Sequence, residues 1–68
     1  MFDPRTFNMD EADDLERYDA ARWFLNRSTS GKDLEAQVAQ QIVDRMSWGA
    51  RNLFLDELPS DKRGWLER

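Results

Sequence analysis

The chain has 68 residues, 40% of them hydrophobic and 35% charged, with a formal charge of −4 at pH 7. Three Trp and four Phe among them are too many for a disordered acidic tail, so the composition specifies a folded domain, although a core this short rarely supplies more than ~3–5 kcal/mol without added support. With no Cys and no His, disulfides and thiolate or imidazole metal sites are excluded and the commonest general base is missing. Oligomerisation is the support left over.

No stretch approaches the ~18 consecutive apolar residues of a membrane span, and Asp3, Asp10 and Glu11 near the start do not suit a secretory leader. The expected location is the cytoplasm, with no membrane partner. Residues 1–20 hold seven acids and two bases, and residues 21–52 hold three acids and five bases, so the acidity belongs to the N-terminal third. A net-negative chain is a poor general binder of nucleic acid, because neutralisation of phosphates by Lys and Arg supplies most non-specific affinity.

Pro4 between Phe2 and Phe7 makes residues 1–8 an extended arm. Asn8 is a candidate N-cap, with Glu11 three residues later in the capping-box position, so a first helix is expected over 9–26. At 100° per residue Leu15, Tyr18, Ala21, Phe24 and Leu25 share one sector, the expected core face, while Trp23 projects into the polar sector. Residues 27–32, R-S-T-S-G-K, have loop composition and end in a cap in which Ser30 and Asp33 form an S-x-x-D pattern.

An apolar stripe at helical spacing follows, from Leu34 through Val38, Ala39, Ile42, Val43 and Met46 to Ala50, Leu53 and Phe54. Gly49 lies inside it, but the stripe keeps its phase across the glycine, so one helix over 31–57, bent at Gly49, is expected. Such a helix is roughly 40 Å long against roughly 27 Å for the first, and its overhang around Ala50, Leu53 and Phe54 needs a cover. Phe2, Phe7, Trp65 and Leu66, a second copy and a target protein are the candidates. Leu58-Pro59 ends the helix, and a short turn over 60–66 completes a single all-α domain spanning 1–68: a hairpin of two unequal antiparallel helices that dimerises into a bundle.

The acidic run Asp10, Glu11, Asp13, Asp14, Glu16 and Asp19 reads as a solvated, dipole-complementing helix start, or as a surface for a basic partner or a mimic of nucleic acid; it lacks the alternation and turn glycine of a calcium loop. Trp23, Trp48 and Trp65 are either half-buried under the chain's own termini or interface residues. Residues 38–42, V-A-Q-Q-I, resemble the first helix of a helix-turn-helix unit with a reader over 47–55, but 42–46 contains no breaker and the reader ends in Asp56-Glu57. No nucleophile and base stand together, so catalysis, cofactors and a small-molecule substrate are not expected.

The function expected on these grounds is that of a non-enzymatic regulator or inhibitor that binds another protein, itself, or both. Its surface would comprise Trp23, Trp48, Leu53, Phe54 and Trp65 with Asp10, Asp13 and Asp14. Short, Cys-free, highly charged helical chains resemble accessory products of phages and mobile elements. A structural homo-oligomer is the alternative, and a nucleic-acid-related role, as acidic mimic or weak helix-turn-helix, the third.

Overall fold

The structure is a computed structural model that describes residues 2–66; Met1 of the arm, and residues 67 and 68 at the end of the expected domain, lie outside the described residues. The described chain is all-helical, in the order α1 (Asp14–Arg27), α2 (Leu34–Asp44), α3 (Trp48–Glu57) and α4 (Ser60–Leu66). Its principal extents of 28 × 25 × 19 Å are too short to contain a straight helix of roughly 40 Å.

The helix expected over 31–57 is therefore two helices, and the break falls at residues 45–47 and not at Gly49. No breaker residue causes it. Arg45 and Met46 close α2 with short-range bonds to Ile42 O and Val43 O at 3.1 Å each, and Ser47 adopts extended φ/ψ as the N-cap of α3, its hydroxyl accepting from the Ala50 N–H. The remaining polar groups of the turn are satisfied from α1. The Ser47 N–H donates to Asp14 Oδ1 at 3.1 Å, and the Arg45 carbonyl accepts from Arg17 Nη1 at 2.8 Å. Backbone groups at a helix end must be paired, and here a neighbouring helix pairs them.

The break resets the phase of the apolar stripe. Ala39, Ile42, Val43 and Met46 remain in the core, but past the turn Phe54 and Leu55 point inward, while Ala50 is half-buried and Leu53 is 59% exposed. Leu34, at the N-terminus of α2, is 69% exposed and leaves the expected stripe as well.

The first helix starts later than 9. Asn8 does cap, accepting from the Asp10 and Glu11 N–H groups, but it caps only a turn over 9–11. Asp13 is the N-cap of α1, accepting from the Glu16 N–H at 2.8 Å. The buried face of α1 is Ala20, Ala21 and Leu25, with Tyr18 and Phe24 half-buried against the core; Leu15, expected inside, is 72% exposed because α3 turns away from a continuous line with α2. Small Ala20 and Ala21 against Ala39 let α1 and α2 approach closely.

In the α1–α2 loop the cap is Asp33 and not Ser30. Its carboxylate accepts from the Ala36 N–H, the Thr29 N–H and the Ser28 hydroxyl. Gly31, with φ of 73°, turns the chain there, and the half-buried Trp65 indole of α4 occupies the space its missing side chain leaves. Leu66 adds to the core from the same helix.

Candidate functional site

The residues expected to form one contact surface are dispersed, and most serve the fold. Trp23 is half-buried in an aromatic cluster, with Phe2 and Phe24 centroids at 5.3 and 4.9 Å and the Arg27 guanidinium over its ring at 4.5 Å. The N-terminal arm thus covers the tryptophan that helix packing leaves outside. Phe54 is 1% exposed, in edge-to-face contact with Tyr18 at 4.9 Å, and is corrected from surface residue to core residue. Trp65 packs on Gly31.

The acids are likewise spoken for. Asp10 pairs with Arg45 at 2.9 Å, Asp13 caps α1, and Asp14 binds the Ser47 N–H. Hydrogen bonds from Ser47, with a smaller contribution from the Arg17 charge, hold the Asp14 carboxyl below the usual carboxylate range. Two of the six acids of the run, Asp10 just before α1 and Asp14 within it, therefore join this part of the chain to the α2–α3 turn. Arg17 completes this junction by donating to Met9 O at 3.1 Å and to Arg45 O.

Of the five apolar residues expected on the surface, two do remain outside: Trp48, 79% exposed, and Leu53. They lie about 140° apart around α3 and so belong to different sides of it. Leu53 belongs to an open groove between α1 and α3, facing Leu15 and sharing the lining with half-buried Tyr18 and Ala50. The two helices run in the same direction along this groove. At its N-terminal end Asp14 meets Ser47; at its C-terminal end Glu57 accepts from the Tyr18 hydroxyl and pairs with Arg22 at 3.5 Å. Burial, followed by the hydrogen bond to Glu57, raises the Tyr18 phenol above its ordinary value.

The groove is thus apolar along its length and polar at both ends. It offers no nucleophile beside a base, and among the described residues no group of three or more acidic side chains is placed to hold a metal ion. No helix of the described residues is long and apolar enough to cross a membrane. Periodicity alone places Leu15 in the core, and its place opposite Leu53 is not legible in the sequence, because their meeting depends on the α2–α3 turn. No protein-family model, curated protein or solved structure matches the chain.

Proposed function

We propose that this is a small, non-enzymatic protein-binding regulator that works in the cytoplasm and engages other polypeptide through the groove between α1 and α3. The observation that supports it is the pair Leu15 and Leu53, 72% and 59% exposed on facing helices of a chain with little apolar surface to spare. Paired exposed leucines on a charged surface favour burial against another protein, each contributing up to ~1.5–3 kcal/mol when fully covered. Trp48 is a separate exposed anchor on another side of α3, and Asp10, Asp13 and Asp14, being engaged within the chain, contribute less than their charge suggests.

A photo-crosslinking residue placed at Leu53 tests the reading in cells, with one at exposed Asp61 on α4 as the control. A defined protein adduct at Leu53 and none at Asp61 is expected; equal labelling at the two sites overturns the groove. One observation favours a second reading. The tight turn between α2 and α3 restores the helix bounds of the helix-turn-helix alternative, and binding to labelled duplex at low salt is its test. Against it, α3 carries Arg51 opposed by Asp56 and Glu57, so little attraction to phosphate is expected.

A further inference from the structure

We propose that the N-terminal arm is a releasable strap that regulates the α1/α3 groove, with Arg17 passing the state of the arm to the α2–α3 turn; this regulation rests on the groove being a protein-binding surface. The arm is held at its two ends. At one, the Phe2 ring lies against Trp23 and Phe24, with centroids at 5.3 and 6.0 Å, and Phe7 packs beside it at 5.4 Å. At the other, the Met9 and Asp10 carbonyls accept from Arg17 Nε and Nη2 at 3.1 and 3.4 Å, and the Asp10 carboxylate accepts from Arg45 Nε at 2.9 Å. Between them Pro4, Arg5 and Thr6 are exposed, and the Arg5 and Thr6 amides bond back to Asp3 within the arm itself. Release therefore breaks side-chain contacts and leaves the backbone bonds of α1 to α4 in place.

Arg17 is the connection. One planar guanidinium serves three carbonyls at once, those of Met9 and Asp10 in the arm and, at 2.8 Å, that of Arg45 in the turn. With the arm docked, the fork is fixed in the orientation that reaches Arg45 O, so little rotamer entropy is left to lose in making that bond. Arm release removes two of the three acceptors and the Asp10 partner of Arg45. The long Arg17 side chain then regains its freedom, and the bond to the turn carries its full entropic cost. Residues 42–46 favour helix locally, and the turn is what sets Leu53 opposite Leu15, so losing this support disorganises the groove. Coupling is reciprocal: a partner seated in the groove holds the arm down.

Amide hydrogen exchange of the full chain, read by NMR, tests this at three sites. The Ala12 N–H bonds to Asn8 O within the arm, the Ser47 N–H to Asp14 across the turn, and the Ala36 N–H to Asp33 away from both. Combining Phe2→Ala with Phe7→Ala is expected to speed exchange about fivefold or more at Ala12 and Ser47, with Ala36 unchanged. In an Arg17→Met chain the same two substitutions should no longer move Ser47, and Asp14→Ala, which frees the turn, should speed Ala12. If the doubly substituted chain unfolds by circular dichroism, Phe2→Ala alone is read in the same way. A folded variant in which Ala12 stays protected, Ser47 is unmoved, or all three amides accelerate equally overturns the strap, as does an arm effect on Ser47 that survives Arg17→Met. Uncoupled amides with a specific adduct at Leu53 overturn the strap alone. Coupled amides with equal labelling at Leu53 and Asp61 overturn the groove and its regulation, and leave only the link between arm and turn.

Discussion

Replacing Gly31 with Ala tests the docking of α4 directly, because two separable costs meet at one atom. Gly31 has φ of 73°, where an L-residue's Cβ crowds its own backbone at about 1–2 kcal/mol. The new Cβ would also lie inside the van der Waals envelope of the Trp65 ring, an overpacking that costs about 1–3 kcal/mol as the indole is pushed from the α1–α2 loop. Gly31→Ala should therefore destabilise by about 2–5 kcal/mol, comparable to the whole stability of a domain this size at ~0.05–0.15 kcal/mol per residue. Trp65→Ala removes a half-buried ring and is expected to cost about 1–3 kcal/mol, part of the full penalty for a buried Trp. In that background Gly31→Ala should keep only its backbone cost, so the cycle of single and double variants returns a coupling of about 1–3 kcal/mol. Urea denaturation followed by far-UV circular dichroism reads all four proteins without relying on Trp65 fluorescence. An equal cost for Gly31→Ala in both backgrounds would refute the contact between α4 and the loop.

The remaining expectations address the turn, its supports and the caps. Phe54→Ala should cost about 3–5 kcal/mol and leave the chain largely unfolded, whereas Leu53→Ala should stay within about 0.5 kcal/mol in urea melts. Similar costs at the two positions would restore a continuous helix. Arg17→Met removes charge-assisted bonds to the carbonyls of Met9 and Arg45, so a loss of about 1.5–3 kcal/mol and faster hydrogen exchange at the Ser47 amide are expected; an amide that exchanges as in the wild type would show that Arg17 does not hold the turn. The Asp33 carboxyl is held below the usual range, first by the Ser28 hydroxyl and then by the Thr29 N–H. Its unfolded form takes up a proton more readily, near pH 3.9, so the stability it contributes is present above that pH and is lost as pH falls through the lower folded value. The melting temperature of Asp33→Asn should accordingly trail the wild type at pH 7, with the gap starting to close below about pH 4 and vanishing only below the lower folded value; a gap independent of pH would remove the carboxylate from that role.

How far the fold could be read from residues alone differs from one element to the next, and the differences have one physical source. The all-helical class, a loop between α1 and α2, the N-terminal arm and the core face of Ala39, Ile42, Val43 and Met46 follow from periodicity, proline placement and loop composition, which act within a few residues along the chain; that the arm covers Trp23 does not. Cap positions were legible only to within a few residues. Asn8 and Ser30 do bind nearby amides, but Asp13 and Asp33 sit closer to the first true helical turns and take the caps. The α2–α3 turn was not legible, because residues 42–46 favour helix locally, and what ends the helix is the pairing of Arg45 and Ser47 by Arg17 and Asp14 from a distant part of the chain.

That one tertiary decision carries the candidate site with it. By changing the phase of the apolar residues after 47, it moves Phe54 from overhang to core and leaves Leu53 opposite an exposed Leu15. Local pattern determined that the protein is helical and where most of its apolar residues fall. Only the long-range polar contacts of α1 decided which of those residues are buried and which remain to meet a partner, because a helix end is stable wherever its backbone groups find partners, and sequence spacing does not reveal partners thirty residues away.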